Sequence, residues 1–599
     1  MPDAQRLELV DDLFQTNGFN LMQGPEGYWE MGSKGAQRGI TNFTLDIYRV
    51  FLEEQPNTGQ TVRTAVMAYA LQNGKRVGNL LVEETAWSGR ADFLRAFSGV
   101  GNLGFYGKED DVLKLRTILM TRVNDRAEQV KRVHSFGIHR DTVGDEHVLT
   151  YVEPNYSLDS DGRENTYALL GVRPPNAPAL ATVPYLEQGD RDAEEVMKAY
   201  FDMNVPDVMA PLMQFVAACF LKRHIETFRM EFPLLNVYGI RGCGKTQGVM
   251  RLCELFGVDY GRSADVLMAP SLTNFALWKA GSSSETAPII LDEFNVGPGK
   301  LTRQRQGEQA EYLKSHYQRG VVSRGTVRKG VQAANGFGAE LSHFTLCAPV
   351  IYCAEHPTNE PAALADRSIQ VMMRHSWTAQ HSEQYFFLNK KHGIIKNISK
   401  TLYSLAINTP VEEVEEEYYR ILPTVTDLHG LRQQHAYAAL LLGNWWWGKV
   451  AETLGWDLKE VLEVHRDTLY QQSERAGMVA MTEVDMVLRK FAQVADLIHD
   501  DSRKHYAIIP GLHYVVTDGM LWFASTPTYS AYVQFMQHIE RERPHYPNEA
   551  AFIGMLKQTE GYAGERIAEV DGRKVLMQGV SLDAMRIRDI PVDSFVREE

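Results

Sequence analysis

One stretch constrains this chain more than any other: Leu234 to Thr246, reading L-L-N-V-Y-G-I-R-G-C-G-K-T. Leu234, Leu235, Val237 and Tyr238 form an apolar run that reads as a buried strand. Gly239-Ile240-Arg241-Gly242-Cys243-Gly244-Lys245-Thr246 then fits G-x-x-x-x-G-K-[ST] at every fixed position. From Gln247 to Phe256 the apolar residues Val249, Met250, Leu252, Cys253, Leu255 and Phe256 recur close to helical spacing. Strand, glycine loop and helix, in that order, describe a phosphate site. Glycines let successive backbone N–H groups converge on an anion, and the helix N-terminus adds positive potential. Gly239, Arg241, Gly242, Cys243 and Gly244 would form the cradle. Lys245 would reach the β- and γ-phosphates, and the Thr246 hydroxyl would hold Mg²⁺, so the expected ligands are ATP and Mg²⁺.

A second apolar run, Pro288-Ile289-Ile290-Leu291, delivers Asp292 and Glu293. Beside a phosphate loop, Asp292 would support the metal and Glu293 would orient and polarise the attacking water. The acid pair could also be a plain strand end. Glu293 favours a hydrolysing motor with an additional strand over a simple kinase.

Between Lys300 and Gly330 there are eight cationic residues against Glu308 and Glu311, a net of +6 in a chain whose formal charge is −14. Gly320 to Gly330 reads as a short β-hairpin, basic near its turn. Lys314, Arg319, Arg324, Arg328 and Lys329 are the candidate contacts to backbone phosphates of DNA. The alternative is a solvated basic face.

Cys347 to His356 is another apolar strand with a polar end, which makes Glu355 or His356 the candidate phosphate sensor. In Ala363-Leu364-Ala365-Asp366-Arg367-Ser368-Ile369, Arg367 precedes a last strand. It would either act in a neighbouring subunit's site or pair with Asp366 or another acid.

These elements resemble the AAA+ ATPase core of superfamily-3-like helicases, in particular the helicase modules of phage, plasmid and genomic-island primase-helicases. The resemblance rests on Gly239 to Thr246, on Ile289 to Asn295, on Leu313 to Arg324 (L-K-S-H-Y-Q-R-G-V-V-S-R) and on Ala363 to Ile369. Arg38 to Ile47 is similar to the accessory domain that precedes such cores. The resemblance implies a hexameric ring that moves along nucleic acid using ATP. It also implies a separate primase or polymerase as partner, because no priming half is visible. Superfamily-3 proteins usually carry Asn at the sensor position, where this strand ends Ala354-Glu355-His356.

The fold expected is an α/β P-loop (AAA+/RecA-like) core with an N-terminal α+β accessory domain and a C-terminal helical plus winged-helix-like region. The divisions are 1–171 (accessory domain), 172–190 (linker), 191–230 (helical collar), 231–400 (core), 401–505 (helical lid) and 506–599 (winged-helix-like). Residues 1 to about 35 read as a short helix and a glycine-rich leader. Asn73-Gly74 marks a hairpin, Ser88 could cap a helix, and Val112, Leu115, Ile118 and Leu119 line one helical face. Trp445, Trp446 and Trp447 read as packing in a helical lid, with base stacking as the alternative.

The five cysteines form neither a C-x-x-C pair nor a Cys/His ligand cluster, so a reducing, cytoplasmic setting fits. The apolar stretch from Val208 to Leu221 contains Pro211 and Gln214 and is too short to span a bilayer, so no membrane role is expected. The function expected is an ATP-dependent DNA helicase or translocase in phage or mobile-element replication. Two rivals share the same core: a nucleotide-switched loader that does not unwind, and a defence-type NTPase.

Overall fold

The structure is a computed structural model. It describes residues 8–9, 21–31, 36–54, 60–122, 127–143, 146–169, 177–239, 242–258, 267–268, 272–294, 303–327, 339–355, 362–373, 379–425, 431–478, 483–500, 502–541, 543–559, 561–570, 573–588 and 590–596. Two compact units emerge, one of residues 1–136 with 152–173, the other of 137–151 with 174–599.

In the first unit, strands Thr44–Glu54, Thr61–Gln72 and Lys75–Glu83 form an antiparallel meander. Glu128–Val133 joins it in parallel and Tyr167–Leu169 follows at the edge. Asn73 (φ 51°) and Gly74 (φ 73°) make the hairpin turn that the N-G pair predicts. Helix Glu109–Arg122 buries Val112, Leu115, Ile118 and Leu119 against the sheet. The helix after Ser88 begins at Arg90 with Gly89 as its N-cap, and the Ser88 hydroxyl bonds Asp92 instead of a backbone N–H. The leader expected before residue 35 contains an antiparallel hairpin, Leu21–Gly24 with Gly27–Met31.

The second unit holds a five-stranded, all-parallel sheet. Its order is Leu267–Met268, Ile289–Asp292, Val350–Ala354, Leu234–Tyr238, Ser368–Met372. The glycine-loop strand, Leu234–Tyr238, is buried along its whole length, as is Val350–Ala354. Strands covered on both faces read as continuous apolar runs, and these do. The buried Asn236 donates from its side-chain Nδ2 to Gln370 Oε1 on the next strand, at 2.6 Å.

Long helices pack beside this sheet. Pro206 opens the long helix Pro206–Phe228, where its missing N–H costs nothing. Helix Leu431–Leu454 lies on that helix and buries Trp446 and Trp447. Their indole N–H groups donate to the Thr409 hydroxyl at 3.3 Å and the Met213 carbonyl at 3.0 Å. Both rings are core. Toward the C-terminus, hairpin Tyr514–Thr517/Met520–Ala524, helices Ser525–Phe535 and Glu549–Leu556, and hairpin Tyr562–Val570/Arg573–Ser581 form one four-stranded layer with two helices. Phe491, Phe523, Tyr532 and Phe552 fill the space between them. Among the described residues, no helix is long and apolar enough to cross a membrane.

Candidate nucleotide site

In a parallel sheet every strand delivers its next residues to the same edge. Here that edge collects the glycine loop after Tyr238, the acid pair Asp292-Glu293, and Glu355 after Ala354. Gly239 donates its N–H to the Ala354 carbonyl at 3.3 Å, and Phe294 donates to the Cys353 carbonyl at 2.9 Å. The loop and the turn after Glu293 are therefore both tied to the strand that ends at Ala354, just before Glu355. Glu355 is half-buried; His356, the other sensor candidate, lies outside the described residues.

Gly242 (φ 88°) and Gly244 (φ 89°) are left-handed, and Gly244 caps the helix Lys245–Cys253. Gly239 needs its missing side chain for another reason: a Cβ there would lie 2.7 Å from the Met373 carbonyl oxygen. Lys245 bends back over the loop and donates to the Gly239 carbonyl at 2.7 Å. Cys243 is buried, and burial pushes its thiol up. Ile240 and Arg241 lie outside the described residues.

The Thr246 hydroxyl donates to Asp292 Oδ2 at 2.9 Å, across 46 residues of chain. Asp292 Oδ1 accepts the Glu293 N–H at 2.9 Å. Glu293 is exposed and left-handed (φ 52°), a conformation that costs a non-glycine residue something and turns it away from the strand axis. Thr246 and Asp292 together offer the hard oxygen donors that Mg²⁺ prefers.

Arg367 lies at the opposite edge. Its carbonyl accepts the N–H of Leu234, the first residue of the glycine-loop strand, at 3.0 Å. A five-residue strand separates it from the loop, roughly 15 Å at 3.3 Å per residue. The side chain is 8% exposed and lies over the Tyr317 ring at 5.4 Å.

The basic segment divides. Val321–Val327 pairs antiparallel with Ala339–Thr345, so the hairpin is longer than the one expected within 320–330, and Gly325 lies inside an arm. Lys314 projects from helix Arg303–Tyr317 and pairs with Glu311 at 2.7 Å. Arg324 is on the first arm; Arg328 and Lys329 follow it and lie outside the described residues. Arg319 is taken up within the protein, forked onto Glu285 at 2.6 and 2.7 Å and reaching Glu226 at 3.2 Å. A guanidinium spent on two buried carboxylates is not offered to DNA, so Arg319 leaves the set of phosphate contacts.

Two neighbours of the loop carry no local sequence signal. Arg489, on helix Glu483–Asp496, donates to the Tyr238 hydroxyl at 2.7 Å, one residue before Gly239. Tyr385 donates to the Gln247 side chain at 3.0 Å. Only tertiary structure brings them there.

No protein-family model and no curated protein matches the chain. Solved structures similar to it include "SCCmec type IV Cch – active helicase", at 12% identity over 95% of this chain and 99% of that one, with a TM-score of 0.44. Another is an apo structure of the NrS-1 C-terminal region, at 11% identity over 90% of this chain and 96% of that one, with a TM-score of 0.25. At these scores the functional reading rests on the chain's own residues.

Proposed function

We propose that this protein is an ATP-dependent DNA helicase or translocase that works as a ring, in the replication of a phage or mobile element. One observation carries the reading: the hydroxyl of Thr246 and the carboxylate of Asp292 meet at 2.9 Å, beside Lys245, at the C-terminal edge of a parallel sheet. Strand Val350–Ala354 lies between the glycine-loop strand and the acidic strand, which supports reading it as the additional strand of a hydrolysing class.

In this account the ammonium of Lys245 exchanges the Gly239 carbonyl for β- and γ-phosphate oxygens of ATP. Thr246 and Asp292 hold Mg²⁺, which supplies charge neutralisation across the phosphates. Glu293 orients the attacking water and draws off its proton, and Glu355 senses the γ-phosphate from the adjacent strand. Arg367 lies at the edge away from its own loop; in a ring it would leave its place over Tyr317 to serve the site of a neighbouring copy, where it would stabilise transition-state charge. Lys314, Arg324, Arg328 and Lys329 grip the DNA backbone.

The test is ATP hydrolysis with and without single-stranded DNA. Removing charge at Arg324 and Arg328 should abolish the DNA stimulation and spare the basal rate. A wild-type chain that hydrolyses ATP but ignores DNA would favour the loader reading instead.

A further inference from the structure

Arg319 occupies a conformation and a position that do not suit an arginine. It follows helix Arg303–Tyr317 in the left-handed region (φ 52°), with its N–H on the His316 carbonyl at 3.1 Å. The next N–H, of Gly320, returns to the Ser315 carbonyl at 2.7 Å. That is the C-terminal turn of a helix where glycine is the usual residue, because an L side chain is strained there. Strain held in place points to something the side chain does.

The side chain forks onto Glu285 and also reaches Glu226, which bonds Lys222 and Arg223 from its own helix. Burial alone would raise both carboxyls. The cations of Arg319, Lys222 and Arg223 overcome it and hold Glu226 and Glu285 below the usual carboxylate range. Both carboxylates are thus charged, and the cluster is a set of buried, charge-assisted bonds.

What the cluster joins is specific. Gly320 passes directly into the first arm of the basic hairpin at Val321. Glu285 precedes, by four residues, the strand Ile289–Asp292 that ends in the acid pair. Helix Arg303–Tyr317 ends two residues before Arg319. The fork therefore ties the chain just ahead of the acidic strand to the hairpin's root. A third element reaches the same spot, since Ile138 donates its N–H to the Thr286 hydroxyl at 2.8 Å, beside Glu285.

We infer that the Arg319–Glu285 fork is the pin that couples the DNA-gripping hairpin to the chain entering the hydrolytic strand, at the end of Ile289–Asp292 away from the acid pair. Arg319 is a positioning residue in this role. The inference rests on the helicase reading above and deepens it.

The test uses the full chain with Arg319→Lys, Glu285→Gln and the double variant. Lysine keeps the charge and loses the fork; glutamine keeps the shape and loses the charge. Three quantities are measured together: ATP hydrolysis with and without single-stranded DNA, DNA affinity by fluorescence anisotropy, and melting temperature. Each single variant should melt cooperatively, bind DNA as the wild type does and keep its basal rate. Its stimulation by DNA should fall on the order of tenfold. The double variant should be no worse than the weaker single, because both break one link. Folded variants with wild-type stimulation overturn the inference. So do basal and stimulated rates that fall together, or losses that multiply in the double variant. If Arg319→Lys does not fold, Glu285→Gln decides alone; if neither folds, the fork is scaffold only and the inference fails. Wild-type hydrolysis that DNA never accelerates would instead remove the helicase reading itself.

Discussion

Thr246 and Asp292 meet because two buried strands of one parallel sheet stop at the same edge: Asp292 is the first polar residue past its apolar run, and the glycine loop returns Thr246, in the first turn of helix Lys245–Cys253, to face it. Each can be removed with little change in packing. Thr246→Ala and Asp292→Asn should each lower kcat by about a hundredfold or more, as loss of a preorganised group does, with melting temperature nearly unchanged. A steady-state assay with a thermal melt checks both. Glu293→Gln should separate binding from turnover: a fluorescent ATP analogue binds as to wild type, while hydrolysis is lost. Equal loss of binding and hydrolysis would place Glu293 among the binding groups. Gly239→Ala forces a Cβ to 2.7 Å from the Met373 carbonyl and should destabilise the loop by about 1–3 kcal/mol, read as a lower melting temperature.

Strands and helices differ in how openly the sequence announces them. Leu234–Tyr238, Ile289–Asp292 and Val350–Ala354 were legible because parallel strands covered on both faces must be apolar throughout. The second hairpin arm, Ala339–Thr345, was not: A-E-L-S-H-F-T alternates weakly, and its pairing across 328–338 is a tertiary fact. The first hairpin, Leu21–Gly24 with Gly27–Met31, hides in Q-G-P-E-G, which reads as leader. Arg319 looked like one more hairpin cation because its partner Glu285 is distant in sequence. Arg489 was invisible for the same reason. The tryptophan run gives an element-scale prediction. Trp447 is fully buried with its N–H satisfied, so Trp447→Ala should cost about 3–5 kcal/mol of stability. DNA affinity of the folded variant should be unchanged; a selective loss of DNA binding would revive the stacking alternative.

At the scale of the whole molecule, several histidines are buried neutral. Burial lowers His224 to about 4, His316 to about 3 and His465 to about 4, all from 6.5. A histidine whose folded pKa is depressed adds stability that is fully present above its unfolded pKa. That stability is lost as pH falls through the window between the two values. Unfolding therefore takes up protons below pH 6.5, and each histidine steepens the loss by up to ~1.4 kcal/mol per pH unit. Urea midpoints should hold near neutrality and fall steadily from pH 6.5 toward 4. A flat profile across that range would mean that these rings protonate without unfolding. The buried Glu226 and Glu285 carboxylates act further down, since their lowered pKa values place their loss below the ordinary carboxylate range.

The central claim is that nucleotide turned over at Gly239 to Thr246 moves this protein along DNA. Strand displacement on forked DNA with 3′ or 5′ tails, with and without ATP and Mg²⁺, tests it most directly when wild type and Lys245→Ala are compared. The account predicts ATP-dependent displacement from one tail polarity by the wild type and none by Lys245→Ala. Displacement that survives in Lys245→Ala would contradict it, as would a wild type that separates neither fork while hydrolysing ATP at full rate.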